Sequence, residues 1–209
     1  MRLSEKTLEL NICAQVAGYV FWPHAFPGHH LIWFGLTQRQ EAEAGYDAWT
    51  RVGGRLLLLQ FKASKRRIGP SRRFTLDHDQ LRNLRNRVRQ HRRSVFYVFP
   101  LVGTSRELAG NPDLIPQTWL LDVAGLTNIP APTKANGQPR RSGLHYADVT
   151  PGRVVLHSDP REFTTDRIDK VVPGPSPDAG WSKSSLPSFD AFWDLRRLLL
   201  RQSVALIIP

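Results

Sequence analysis

Leu8, Ile12 and Val16 recur at four-residue spacing behind Ser4 and Glu5, which predicts an opening helix with Ser4 as N-cap, ending near Ala17 at Gly18. His30 to Leu36, HLIWFGL, is a continuous apolar run of strand length. TQRQEAEAG is a polar connection with room for a short helical turn. Tyr46–Val52 and Arg55–Ala63 then read as two strands joined by a tight hairpin turn at Gly53-Gly54. A basic loop broken by Gly69 and Pro70 follows. Asp77 or Asp79 caps a helix reaching about His91, with Leu81, Leu84 and Val88 as its apolar stripe. Ser94–Val102 and Thr118–Val123 are rich in β-branched and aromatic residues and predict buried strands, with Ser105–Leu108 opening a short helix between them.

The pattern thins after that. Thr127 to Gly143 is Pro, Gly, Asn and Arg, a loop by composition. Two short strands are expected at Leu144–Val149 and Arg153–His157. Pro173 to Pro187 reads as a linker or surface loop, and Phe189 to about Gln202 as a closing helix with a packed face. The element order predicts an α/β fold with a sheet that begins as an antiparallel hairpin. Residues 1–126 form the expected core and 127–209 an extension packing on it.

Charge changes this picture. The 209 residues carry a net charge of +11. It is not spread evenly: residues 1–61 are neutral, and Lys62 to Arg93 hold twelve bases against Asp77 and Asp79. Ten of those twelve are Arg, whose planar fork suits phosphate oxygens, so a polyanion is the expected partner. The single cysteine, Cys13, excludes a disulfide framework and a multi-cysteine metal site, and it fits a reducing, cytoplasmic setting. No apolar run has membrane length, and the acids in MRLSEKTLEL do not suit a signal peptide, so no membrane partner is expected.

The candidate chemistry lies where the charge begins. The predicted hairpin sets Asp47 near Gln60 and Lys62, and the apolar strand Leu56–Leu59 ends in Gln-Phe-Lys. A Lys head at the end of a core strand costs several kcal/mol to bury unless an anion meets it. On a helical wheel Glu5 and Glu9 fall within or beside the apolar stripe of the first helix, so each carboxylate needs a partner there. A metal shared with Asp47 would supply one.

A helical Glu, Asp47 in GYD, and QFK after a hairpin together resemble the PD-(D/E)xK, or restriction-endonuclease-like, nuclease superfamily. The resemblance covers roughly residues 4 to 123 and implies a restriction-endonuclease-like core: a mixed central sheet with an antiparallel hairpin, flanked by helices. It implies Mg²⁺, with Mn²⁺ as a substitute, held by Asp47, Gln60 and Glu9, with Glu5 as the alternative helical acid. Lys62 would orient the attacking water or stabilise developing charge. Gln60 stands where Glu or Asp is commoner, a variant found in Mrr-like defence nucleases, and it removes one negative charge from the metal site. Lys65, Arg66, Arg67, Arg72, Arg73, Arg82, Arg85 and Arg89 would bind flanking phosphates, and Gln80 would support the site. The implied partner is DNA, with RNA left open. The implied assembly is a homodimer or a place in a larger defence complex.

Two other functions fit the same sequence: a catalytically inactive nucleic-acid-binding module of this fold, and a basic subunit docking an acidic protein. The remaining residues add little. His24, His29 and His30 lie in a Pro/Gly segment without a ligand set, and His78 between Asp77 and Asp79 reads as part of a helix cap. Cys13, Trp33 and Trp49 read as core.

Overall fold

A computed structural model describes residues 1–21, 31–52, 55–90, 94–126, 128–131 and 143–172. Ser4 Oγ accepts from the Thr7 amide at 3.0 Å and opens α1 (Glu5–Phe21). The helix continues through Gly18, where the sequence predicts an end. A glycine inside a helix costs only about 1 kcal/mol, and the packed stripe of Leu8, Ile12 and Val16 outweighs it.

The apolar run expected from His30 pairs only as β1 (Phe34–Gly35). The polar connection is a full helix, α2 (Gln38–Ala44), because Thr37 and Gln40 form a reciprocal capping box. It stops at Gly45, whose φ of 83° favours glycine, and a Cβ there would also lie 3.0 Å from Asn83 Cβ. That turn delivers the chain to β2 (Ala48–Val52), which pairs antiparallel with β3 (Arg55–Phe61) from Ala48↔Leu59 to Val52↔Arg55. Gly53 and Gly54 lie outside the described residues.

The expected basic loop is instead a hairpin of β4 (Arg66–Ile68) and β5 (Ser71–Asp77). In SRRFTLD, Phe74 and Leu76 are buried at alternate positions, but the third buried position is Arg72, which hides the period of two. Asp77 Oδ1 accepts from the Gln80 amide at 2.9 Å and caps α3 (His78–Gln90). The helix carries the chain to β6 (Val95–Pro100), parallel to β3. Then come α4 (Ser105–Gly110) and β7 (Thr118–Asp122), followed by β8 (Leu144–Thr150), β9 (Arg153–Leu156), β10 (Asp159–Thr164), β11 (Asp166–Arg167) and α5 (Ile168–Val171).

These strands form two sheets, not one. The first is mixed, in the order β1-β2-β3-β6-β7-β11, and the second is antiparallel, in the order β10-β9-β8-β5-β4. The first sheet is covered on both faces. On one, Leu57, Leu59 and Phe61 meet α1; on the other, Leu58, Tyr97 and Phe99 meet α3 and the inner face of the second sheet. This double burial explains the unbroken apolar run of β3. Residues 144–172 give strands to both sheets, so residue 126 is no boundary between a core and an extension. The Pro173–Pro187 stretch, the closing helix, His24, His29, His30 and most of the 127–143 loop lie outside the described residues.

Candidate active site

The β2–β3 register sets Asp47 against the end of β3. Its backbone amide donates to Leu59 O at 2.9 Å. Its Oδ2 accepts from Gln60 Nε2 and from the Phe61 amide, both at 2.7 Å. Asp47 is 8% exposed, and burial pushes its carboxyl up to about 7. The Phe61 amide, the Lys62 charge and the Gln60 amide pull the other way, while Glu5 adds to the rise.

Gln60 is fixed by two acceptors. Nε2 donates to Asp47 Oδ2 and also to Phe61 O at 3.1 Å. The amide is therefore oriented, and Oε1 is buried with no hydrogen-bond partner among the described residues. An unsatisfied buried acceptor costs about 1–3 kcal/mol, a penalty that a bound donor or cation would remove.

Lys62 is 7% exposed. Its Nζ lies 3.9 Å from Glu5 Oε1, beyond hydrogen-bond reach, and the Ala63 amide donates to the same oxygen at 3.3 Å. The lysine is thus buried beside one loosely held carboxylate. Asp47, Gln60, Lys62 and Glu5 come together at the ends of β2 and β3 and the start of α1.

The sequence preferred Glu9 over Glu5, and the geometry reverses that order. Both Glu9 oxygens accept from Lys6 Nζ, at 2.8 and 3.0 Å, and Glu41 stands 4.0 Å from the same ammonium. The hydrogen bond to Glu9 holds the Lys6 ammonium above its ordinary pKa. Glu9 is therefore neutralised within α1, whereas Glu5, one turn earlier, faces the end of β3. Cys13 is buried beside this pair, and burial pushes its thiol up.

Gln80 is carried by the first turn of α3 against the Gly45 turn, where its carbonyl oxygen lies 3.3 Å from a Cβ position on Gly45. No hydrogen bond joins Gln80 to Asp47, Gln60 or Lys62 among the described residues, and its own Oε1 is buried and unpartnered. One residue went unremarked in the sequence. Tyr97 of β6 is the direct register partner of Gln60; its hydroxyl is fully buried without a partner among the described residues and lies in the field of both Asp77 and Asp47. The one signal for it is a hydroxyl inside the otherwise apolar run VFYVFPLV.

The basic residues divide into two groups. Arg72 is buried: Nε donates to Leu101 O at 2.7 Å, Nη1 to Ser64 Oγ at 3.2 Å, and Nη2 pairs with Glu107 Oε1. Arg73 donates to Asp148 from Nε and Nη2, at 2.7 and 2.6 Å. Both guanidinium groups hold the protein together, which corrects their assignment as phosphate contacts. Among the described residues Arg82 makes one ion pair, an exposed one with Asp79 at 3.2 Å. Lys65, Arg66, Arg67, Arg85 and Arg89 make no ion pair among the described residues, and Arg66 and Arg67 are exposed on β4, four and five residues beyond Lys62.

Among the described residues no three His, Cys, Asp or Glu side chains gather to hold a metal ion, and no helix is long and apolar enough to cross a membrane. Trp33 packs against the α1-side core, and Trp49 stacks on Phe34 with centroids 4.1 Å apart. Comparison with family models, with curated proteins and with solved structures finds no match to this chain.

Proposed function

We propose that this chain is a metal-dependent nuclease of the PD-(D/E)xK type, hydrolysing phosphodiester bonds of DNA. The observation that carries the reading is the meeting of Asp47, Gln60 and Lys62 at the ends of two paired strands, with Glu5 of α1 beside the same lysine. The succession of helix, strands β1 to β3, crossover through α3, and β6 parallel to β3 supports it, because a restriction-endonuclease-like core has that order.

The donor chemistry suits a hard divalent cation. Asp47 would offer its carboxylate and Gln60 its unpartnered Oε1, an all-oxygen set of the kind Mg²⁺ or Mn²⁺ takes. When bound, such a cation polarises the phosphoryl oxygen and makes a coordinated water more acidic. Lys62 would bind a non-bridging phosphate oxygen and stabilise charge as it develops; in a low-dielectric setting such a contact is worth more than in water. Glu5 would hold Lys62 in place without neutralising it at close range. Arg66, Arg67, Lys65, Arg85 and Arg89 would neutralise neighbouring phosphates. The setting we infer is the cytoplasm and the role defence against foreign DNA, with a homodimer or a larger complex as the assembly.

One feature favours a second reading, a binding module that no longer cuts. The site offers one buried carboxylate where a strong divalent site has two, since Gln60 is uncharged. Supercoiled plasmid incubated with Mg²⁺ or Mn²⁺ separates the two. Nicking by the wild type, lost with EDTA and in both Asp47→Ala and Lys62→Ala, supports the nuclease. Salt-sensitive DNA binding without nicking selects the binding module, and neither activity selects the acidic-protein partner.

A further inference from the structure

The outer face of the second sheet has no described element packed against it. Along β5, Arg72, Phe74 and Leu76 are buried while Arg73 and Thr75 point outward, and along β8 His145, Ala147 and Val149 are buried while Tyr146 and Asp148 point outward. Tyr146 is 39% exposed, the one exposed large aromatic side chain among the described residues.

Its neighbours fix the ring. Arg73 lies 6.0 Å from the ring centroid, and the His157 ring meets it edge-on at 6.3 Å. Asp148 ties both neighbours down, accepting from Arg73 and bonding His157 Nε2 at 2.7 Å. The guanidinium of Arg73, followed by His157, holds the Asp148 carboxyl below its usual range. The result is an aromatic ring set in a rigid polar frame.

The adjoining β4–β5 ribbon is charged in a way that folding alone does not favour. Arg66 stands directly opposite Arg73, and Arg67 opposite Arg72. Like charges across an antiparallel pair repel. Arg72 and Arg73 are offset by Glu107 and Asp148, but Arg66 and Arg67 have no such partner among the described residues. Arg66 shares the outer face with Arg73 and Tyr146, so an unneutralised cation borders the aromatic ring.

We propose that this face binds single-stranded nucleic acid, with a base stacked on Tyr146 and a neighbouring phosphate on Arg66. An exposed ring beside an arginine ribbon suits a strand whose bases are free to splay, while a duplex hides its base faces. The site lies on the far side of the second sheet from Asp47, with the shared core of Phe74, Leu76, Tyr97 and Phe99 between them. Lys65 to Arg67 joins the two regions, because only Ala63 and Ser64 separate it from Lys62. The proposal goes beyond the nuclease reading and does not depend on cleavage.

Fluorescence anisotropy with a labelled oligothymidine, in EDTA so that cutting does not intervene, tests it on the full chain. The wild type should bind with a steep salt dependence, and Tyr146→Phe should bind as the wild type does. Tyr146→Ala should melt at the wild-type temperature yet bind roughly fivefold to a hundredfold more weakly, and Arg66→Ala should reduce the salt slope by about one. Wild-type affinity in Tyr146→Ala would overturn the proposal, as would no binding by the wild type. Displacement by poly-glutamate as efficient as by unlabelled oligothymidine would also overturn it, by showing a general anion patch.

Discussion

Gln60 Nε2 donates to Asp47 Oδ2 at 2.7 Å, joining residues thirteen apart across the β2–β3 pair, while Oε1 of that amide is buried and has no partner among the described residues. Half of Gln60 thus completes the fold and half is left over. Gln60→Glu would set two buried carboxylates side by side, which forces one of them to keep its proton. Without metal this variant should be less stable than the wild type by about 1–3 kcal/mol, and Mg²⁺ should raise its melting temperature more than it raises the wild type's. Thermal melts with and without Mg²⁺ check this; equal responses would remove Gln60 from the metal site.

Glu5 and Glu9 lie one turn apart and should respond oppositely. Glu9 is buried and bonded to Lys6 through both oxygens, so Glu9→Gln should cost about 1–3 kcal/mol of stability. Glu5 is about half exposed, so Glu5→Gln should change stability by less than about 1 kcal/mol while lowering the cleavage rate. Urea unfolding set against nicking rates for the two variants separates them.

Arg72 is a brace, not a phosphate contact. Removing it leaves Glu107 without its cation and frees Leu101 O and Ser64 Oγ, so Arg72→Ala should lose about 3–5 kcal/mol by urea unfolding. Arg66→Ala and Arg67→Ala, both exposed, should leave stability within about 0.5 kcal/mol and weaken DNA binding.

His145 should give the fold an acid-sensitive step. Its ring is 1% exposed, with Nε2 2.9 Å from His78 Nδ1 and Nδ1 2.6 Å from Ser158 Oγ. Burial, then the neighbouring His78, lowers its pKa from 6.5 to about 4, against a smaller opposing pull from Asp77. A lowered folded-state pKa means the neutral form stabilises the fold. That stability is complete above 6.5 and is lost as pH falls towards 4. The unfolding free energy from urea titrations should therefore drop over this window by about 1–3 kcal/mol, and His145→Gln should flatten the drop.

Much of the first sheet was legible in the sequence because its signals are local. The Ser4 cap, the Leu8–Ile12–Val16 stripe, the paired runs at 46–52 and 55–63 and the Asp77 cap each stand where they were read. The second sheet was legible only in part: the strands expected at Leu144–Val149 and Arg153–His157 are β8 and β9, but the β4–β5 hairpin was hidden because its buried Arg72 is satisfied by a partner distant in the chain, Glu107. The candidate site was legible in which residues meet but not in how each is held. Asp47, Gln60 and Lys62 follow from the hairpin register, whereas the choice between Glu5 and Glu9 depended on Lys6, which lies on the same helix but closes on only one of them.

In the proposed nuclease, Lys62 is held at the end of β3 to act on a phosphate, not to stabilise the fold. Buried with its nearest carboxylate 3.9 Å away, it should be replaceable by an apolar side chain of similar length without loss of stability. Single-turnover cleavage of end-labelled DNA in Mg²⁺, with protein in excess, compares the wild type with Lys62→Met. We expect the variant to melt at or above the wild-type temperature and to cut at least about 100-fold more slowly. Cleavage at the wild-type rate by Lys62→Met, or no cleavage by the wild type in Mg²⁺ or Mn²⁺, would contradict the account.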